Sequence, residues 1–322
     1  MKVRFGFVAM AMSLTNASPS QTMTVRQFQA LSDRDAALRK LTRIAASNLS
    51  NTLRVLRHAH ASGIHVYRFS SKLVPLFGHD LTTEWGFLEQ LSDDFQQVGH
   101  FVKEHRMRVS FHPDHYTVLN SSNEGVFRAS VADLLRHVAM LETMGLDDEA
   151  KLVLHIGGAY KDKALALERF RQHWGEVPPA VQARLTLEND DKSYTAKDTL
   201  KLCQDLALPM VLDVHHDLCN PDANATLRDL LGDIFATWTD TSLVPKVHIS
   251  SPKSEADLRS HADFVDVESV LPFLNLAREY NQDFDVMLEA KQKDEAVFWL
   301  MKNLAKISGV QVLDGATIRF RI

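Results

Sequence analysis

Short apolar runs alternate along the chain with longer stretches in which apolar residues recur every three or four positions. The short runs predict buried β-strands, and the periodic stretches predict amphipathic helices. The eight runs predicted to be strands occupy residues 3–9, 65–70, 108–112, 152–158, 184–190, 209–216, 245–250 and 284–290. The eight predicted helices occupy residues 33–62, 85–105, 125–145, 162–175, 195–206, 224–239, 267–280 and 291–306.

Strands that are apolar on both faces and alternate with helices predict a parallel sheet that is covered by helices. Eight such units favour one closed (β/α)8 TIM barrel over residues 1–322. A doubly wound open sheet is the main alternative, but it would not bring residues of strands three to eight together. Residues 13–30 read as a polar loop, and residues 308–322 as a peripheral tail that adds a strand or hairpin.

The N-terminus has two readings. The basic MKVR, the apolar FGFVAMAM and the small residues after it have the outline of a signal peptide. The apolar run is short and also reads as the first buried strand, which is the interpretation we favour. No stretch approaches the roughly 18 apolar residues of a membrane span.

Composition excludes little. The chain is 45% hydrophobic and 24% charged, which is ordinary for a globular protein. Its formal charge of −5 argues against non-specific coating of nucleic acid. Three bound divalent cations would add six charges and give about +1, so a phosphate-bearing substrate is not excluded. Two cysteines, Cys203 and Cys219, make no disulfide framework, which favours a reduced, intracellular setting.

Metal-ligating side chains end several of the predicted strands. The carboxyl ends of parallel barrel strands meet at one face, which is where such barrels perform chemistry. We therefore expect a site with several metals at the barrel mouth. The strand-end residues are His112, His155, Glu188, Asp213 and Glu289, with Lys246 and His248 inside the seventh strand.

The alternative for each carboxylate is a salt bridge. Glu188, Asp213 and Glu289 occur with three histidines, and we expect no compensating arginine near them. Buried carboxylates are costly without a cation. His216 follows Asp213 by three residues, so both face one pocket if the chain becomes helical there.

Lys246 and His248 are two residues apart and share one face of a strand. An ammonium group among metal ions would be repelled. Lys246 must therefore be neutral, paired with a carboxylate, or chemically modified.

The loop HPDHY, residues 112–116, follows the third strand. His115 and Tyr116 could be ordinary exposed turn residues. A loop tip with an aromatic ring beside a polar group could also stack on a nucleic-acid base or displace it.

The chain resembles the UV-damage endonucleases in eight strings that occur in the family order. They are YRFSS, HPDHY, VLHIGG, LENDD, LDVHH, PKVHIS, SHADFVD and MLEAK, within a match that runs from Gly6 to about residue 300. Members of that family are (β/α)8 barrels related to the endonuclease IV type of abasic-site enzymes. They bind up to three divalent metals, commonly manganese, and nick double-stranded DNA on the 5′ side of UV photoproducts.

The resemblance implies roles for individual residues. Lys246 occupies the position of a lysine that can be carboxylated, and His115 and Tyr116 occupy that of a two-residue probe inserted at the lesion. The family often has glutamine and tyrosine at the probe and tyrosine where this chain has Phe7, so lesion preference is open. The metal ligands that it implies are His112, His155, Glu188, Asp213, His216, His248, His261 and Glu289.

These observations predict a metal-dependent DNA-repair endonuclease acting in the bacterial cytoplasm, with no membrane and no obligate protein partner. We expect two to three divalent ions, manganese first and zinc, magnesium or cobalt as alternatives. Catalytic roles fall to Glu188, Lys246 and Glu289, with Glu188 bridging two metals. Four lysines after strand ends could contact phosphates or be ordinary solvated side chains: Lys72, Lys161, Lys192 and Lys253.

Two other classes remain open from the residues alone. A sugar isomerase or epimerase of the xylose-isomerase type also holds two metals with carboxylates and histidines in a barrel. A non-catalytic metal-binding barrel would have no open coordination position. Three metals, a probe-like loop and activity on DNA distinguish the endonuclease from both.

Overall fold

The computed structural model describes residues 1–321. A closed barrel of eight parallel strands forms its centre, which confirms the predicted fold class. The barrel closes because the first strand pairs in parallel with both the second and the last, Phe5 lying opposite Val286 and Phe7 opposite Tyr67. The barrel strands are β1 (Lys2–Val8), β2 (Val66–Arg68), β3 (Arg108–Phe111), β4 (Lys151–His155), β5 (Leu185–Glu188), β6 (Met210–Asp213), β7 (Lys246–Ile249) and β10 (Phe284–Leu288).

Two hairpins accompany the barrel. The first, β8 (Pro252–Ser254) and β9 (Asp257–His261), stands between β7 and the next helix. The second, β11 (Val310–Val312) and β12 (Thr317–Phe320), lies in the tail, where β12 runs antiparallel to the start of β1. Ile318 and Phe320 are buried in this pairing, so the tail contributes to the core.

Helices surround the barrel near their predicted positions. The first short helix has a capping box, in which Thr24 and Gln27 bond to each other's backbone, and it replaces part of the predicted loop 13–30. The prediction of one helix over 85–105 was wrong, because the chain leaves helical geometry at Leu91. The helices are α1 (Val25–Gln29), α2 (Arg34–Ala61), α3 (Phe87–Gln90), α4 (Ser92–Glu104), α5 (Glu124–Thr143), α6 (Lys163–Trp174), α7 (Pro179–Gln182), α8 (Ala196–Leu206), α9 (Val214–Cys219), α10 (Leu227–Ala236), α11 (Val267–Arg278) and α12 (Lys293–Leu304).

Trp238 lies in the barrel interior, away from the strands' carboxyl ends. It packs on Val153 and Val211, and its indole N–H donates to the carbonyl of Met210 at 2.7 Å. The guanidinium of Arg108 lies 5.0 Å from the centroid of its ring. This packed layer leaves the opposite end of the barrel available for polar groups.

Asp285 adds a charged layer beside it. Its carboxylate is fully buried and accepts hydrogen bonds from Arg4 at 2.6 Å and from Arg108 at 2.7 Å.

No helix within residues 1–321 has both the length and the apolar character to cross a membrane.

Candidate metal centre

Glu188 lies at the centre of the polar groups at the carboxyl end of the barrel. Its Oε2 is 2.9 Å from Nε2 of His112 and 3.8 Å from Nε2 of His155. Its Oε1 is 2.8 Å from Nδ1 of His248 and 3.8 Å from Nδ1 of His216. The two oxygens therefore face two different pairs of histidines.

Strand register places these side chains. His155 is opposite Glu188 across β4 and β5, and Asp213 is opposite His248 across β6 and β7. Because strand residues two apart share a face, each of these four residues is the last inward-facing residue of its strand.

Asp213 also ends β6 and begins a helix. Its Oδ1 accepts a hydrogen bond from the backbone N–H of His216 at 2.7 Å, as a helix N-cap. The condition set by the sequence, a helical turn directly after the strand, is met. Nδ1 of His216 lies 3.8 Å from Oδ2 of Asp213 and 2.9 Å from the carbonyl of Asn189, so both side chains face Glu188.

Glu289 follows β10 and joins the same group. Its Oε1 is 3.2 Å from Nδ1 of His248, and its Oε2 is 3.8 Å from Nδ1 of His261. His261 reaches it from the end of β9, so the hairpin after β7 supplies a site residue. The expectation that no arginine compensates these carboxylates was wrong: Arg68 on β2 forms an ion pair with Glu289.

Burial and neighbouring charges determine which of the groups are ionised. Burial opposes ionisation of Glu188, but His248, His155 and His112 outweigh it, so its pKa lies well below the usual range. Burial raises the pKa of Asp213 to about 8. Burial lowers the pKa values of His155, His248 and His261 more than their carboxylate neighbours raise them, which favours neutral rings. Burial also acts to lower the pKa of His216, but Asp213 and Glu188 outweigh burial and raise it to about 9. Metals bind neutral imidazoles and ionised carboxylates, so metal binding would displace protons from Asp213 and His216.

The donor set fits divalent metal ions. His112, His155 and Glu188 offer ligand atoms within 4.8 Å of one another, and so do Glu188, Asp213, His248 and Glu289. Oδ2 of Asp213 and Nε2 of His248 are buried without a hydrogen-bond partner among residues 1–321. A buried polar atom without a partner is costly, and a metal ion would satisfy both. Glu188 belongs to both groups and is the residue able to join two metals.

Lys246 lies one layer deeper in the barrel. Its Nζ donates to Oγ of Ser110 at 2.9 Å, and it forms no ion pair with a carboxylate of the described chain. Burial, with the charge of Arg108, lowers its pKa well below the usual value. Of the three forms expected for Lys246, the neutral amine fits these contacts and the carboxylate pair does not. Carboxylation stays a prediction.

His115 and Tyr116 form the exposed tip of the loop after β3. The Tyr116 side chain is 76% exposed, and the two ring centroids are 4.0 Å apart at an interplanar angle of 39°. The hydrogen bond from Thr117 Oγ1 to Asp133 at 2.8 Å holds the loop at its base. Phe7 is buried against Tyr67, away from solvent.

The four lysines expected near phosphates all lie on exposed loops or edges. Lys72 borders a cavity of about 480 Å³ that also contacts His112 and His155. Lys253 lies 3.9 Å from Asp257 in its own hairpin. Lys161 follows β4 and Lys192 follows β5, and neither is among the residues that line this cavity.

Sequence reasoning missed Arg68 and Lys293, which border the same cavity. A signal for Arg68 existed, since Val66 and Arg68 alternate with Tyr67 as inward-facing residues would. Lys293 had no such signal, because it is the first residue of a helix that reads as a surface element.

The sequence model described as UV-endonuclease UvdE matches residues 3–321. A protein of Bacillus pumilus (strain SAFR-032) named UV DNA damage endonuclease is 42% identical over 321 residues, covering 100% of both chains. The crystal structure of SacUVDE superposes with a TM-score of 0.83 at 28% identity, covering 95% of this chain and 100% of that one.

A 3-keto-D-glucoside 4-epimerase, YcjR, from E. coli has a TM-score of 0.54 at 14% identity, covering 78% of this chain and 94% of that one, and shares the fold alone. The match to the family model spans the barrel and every metal-ligand candidate from His112 to Glu289. The chain therefore belongs to the UV-endonuclease UvdE family.

Proposed function

We propose that this chain is a metal-dependent endonuclease that nicks double-stranded DNA on the 5′ side of UV photoproducts. Its substrates would be cyclobutane pyrimidine dimers and 6-4 photoproducts, with abasic sites as a further substrate. Family membership supports the reaction class. The observation that carries the proposal is Glu188, a buried carboxylate whose two oxygens face separate histidine pairs.

The proposed cofactors are two to three divalent ions, with manganese as the first candidate. The residues that would hold them are His112, His155, Glu188, Asp213, His216, His248, His261 and Glu289. Divalent ions at such a site lower the pKa of bound water and neutralise charge on a phosphodiester.

The protein's own groups have separate tasks in this proposal. Glu188 and Glu289 would offer carboxylate oxygens to the metals beside His248, which both of them face. Lys246 would act as a carbamate, which converts a neutral amine below the site into an anionic ligand. His115 and Tyr116 would enter the base stack at the lesion, where pairing is already weak.

DNA as the substrate places the proposed activity in the bacterial cytoplasm. His115 and Phe7 differ from the residues common in the family at those positions. The range of lesions therefore has to be measured on this protein, with the following nicking assay. Purified protein with Mn²⁺ is incubated with irradiated and unirradiated supercoiled plasmid and with a duplex containing one abasic site.

Nicking of the irradiated plasmid but not of the unirradiated plasmid supports the photoproduct assignment. Absence of nicking with every metal tested contradicts it. Turnover of a ketose by the same preparation would instead favour the isomerase class.

A further inference from the structure

We propose that Arg68 and Lys293 form a subsite for one phosphate of the DNA backbone in the wall of the barrel mouth. This inference rests on the proposed endonuclease function. It assigns to the chain a phosphate contact separate from the metal ligands and from the exposed lysines of the rim.

Arg68 ends β2 with its side chain inside the barrel mouth. The side chain is 12% exposed. Its guanidinium contacts Glu289, which follows β10, and β1 lies between β2 and β10 in the barrel. The residue of β1 paired with Arg68 is Val8, which also borders the cavity. A guanidinium has five N–H donors, so those not used by Glu289 are free to bind a phosphate in a bidentate manner.

Lys293 is held beside Arg68 by its neighbours in the chain. Its φ of +51° is left-handed, a conformation that non-glycine residues rarely adopt. The next residue, Asp294, is fully buried and accepts hydrogen bonds from the backbone N–H of Met12 at 2.5 Å and from Nε2 of His58 at 2.9 Å. This anchor fixes the start of α12, and Lys293 borders the cavity as a result.

Lys293 lacks an anionic partner. It forms no ion pair within residues 1–321, in contrast to Arg68. Arg68 and Lys293 border the same cavity. Burial and the charge of Arg68 lower the pKa of Lys293, against the opposing effect of Glu289. A pair of this kind is stabilised when an anion binds between its members.

The cavity of about 480 Å³ carries an excess of positive charge. Arg68, Lys72 and Lys293 border it, and Asp114, which is exposed, is the single carboxylate among its lining residues. His112 and His155 line its inner end, so an anion bound there lies beside the candidate metals. A backbone phosphate next to the cleaved linkage has the required charge and position.

The test measures binding of the metal-loaded protein to a UV-damaged duplex at several salt concentrations. The linkage 5′ of the lesion carries CH₂ in place of its 3′ oxygen, which keeps the charge and prevents cleavage. Lys293→Met removes the charge and keeps most of the side-chain volume. Lys302→Met, on the exposed last turn of α12, is the matched control.

Each phosphate contact contributes about −0.9 to the slope of log K against log salt. We expect Lys293→Met to reduce the slope magnitude by about 0.9 and to weaken binding about fivefold at 0.15 M salt, with unchanged metal content. Lys302→Met should match the wild type. An unchanged slope in Lys293→Met overturns the proposal, and so does an equal reduction in both variants.

A second measurement identifies the phosphate and covers failure of the variant to fold. Neutral methylphosphonates are placed one at a time around the lesion. One position should weaken binding to the wild type and have little further effect in Lys293→Met or Lys293→Gln. Coupling at no position overturns the subsite, and weakened binding of inorganic phosphate alone overturns its assignment to DNA. If the wild type does not nick irradiated plasmid, the proposed function itself fails.

Discussion

Oε1 of Glu188 lies 2.8 Å from Nδ1 of His248, whose other ring nitrogen is buried without a hydrogen-bond partner among the described residues. His248 therefore has one nitrogen fixed by the carboxylate and the other available to a metal. Glu188 organises the centre through this contact and its counterpart to His112.

We expect Glu188→Gln to lose metal and nicking activity together. The amide keeps the shape of the side chain but removes the negative charge that two metals would share. Metal affinity should fall by about tenfold to a hundredfold or more. Glu279→Gln, which removes an exposed carboxylate paired with Arg228, is the control and should retain both properties. Full metal content in Glu188→Gln would contradict a bridging role.

Lys246 is predicted to be carboxylated in the active protein. A neutral amine can attack the carbon of CO₂ and release one proton to solvent, which forms a carbamate. Burial already favours the neutral form of Lys246. Protein equilibrated with ¹³C-bicarbonate should show one carbamate carbon resonance that is absent in Lys246→Met. A spectrum without that resonance, from a preparation that nicks DNA, would show that the free amine suffices.

The buried Asp285 makes stability depend on pH. Burial opposes its ionisation, but Arg108 and Arg4 outweigh burial and lower its pKa. Since the folded-state pKa is below the unfolded value of about 3.9, the carboxylate stabilises the fold above that pH. The contribution is lost as the pH falls through the folded-state pKa.

Removing this charge should destabilise the barrel. Asp285→Asn leaves Arg108 buried and partly unpaired, so the free energy of unfolding at pH 7 should fall by about 3–5 kcal/mol. Urea unfolding at pH 7 and near pH 3 measures the effect, and the difference between wild type and variant should narrow at the lower pH. Glu255→Gln, on an exposed turn, should leave both values unchanged. If the wild type and Asp285→Asn differ in stability by the same amount at both pH values, ionisation of Asp285 is not the cause of the pH dependence.

Much of the site could be predicted because strands carry their side chains alternately inward and outward. His155, Glu188, Asp213 and His248 end or lie in apolar runs, and parallel pairing brings such ends to one face. The contact of Arg68 with Glu289 could not be read in this way, since it depends on how β10 closes onto β1 and β2.

Other features depended on tertiary context in the same way. The Ser110 partner of Lys246 comes from a strand across the barrel. The break at Leu91 and the left-handed Lys293 depend on local geometry that apolar periodicity does not encode.

The probe loop allows lesion recognition to be separated from cleavage. A duplex hides a damaged base within its stack, so an enzyme that selects damage must insert a group there. His115 and Tyr116 are exposed, packed against each other in a tilted arrangement and carried by the loop that begins at His112. Loss of stacking on a base typically costs about 1–3 kcal/mol, roughly tenfold to a hundredfold in affinity.

We therefore expect His115→Ala combined with Tyr116→Ala to weaken binding to UV-damaged duplex by about that factor. Metal content should be unchanged, since neither ring lies among the ligand candidates. Binding to undamaged duplex, which depends on phosphate contacts, should barely change and serves as the internal control. Fluorescence anisotropy with both duplexes, together with metal analysis, measures all three quantities. If the double variant nicks irradiated plasmid as fast as the wild type, the loop is an ordinary turn and lesion selection depends on other residues.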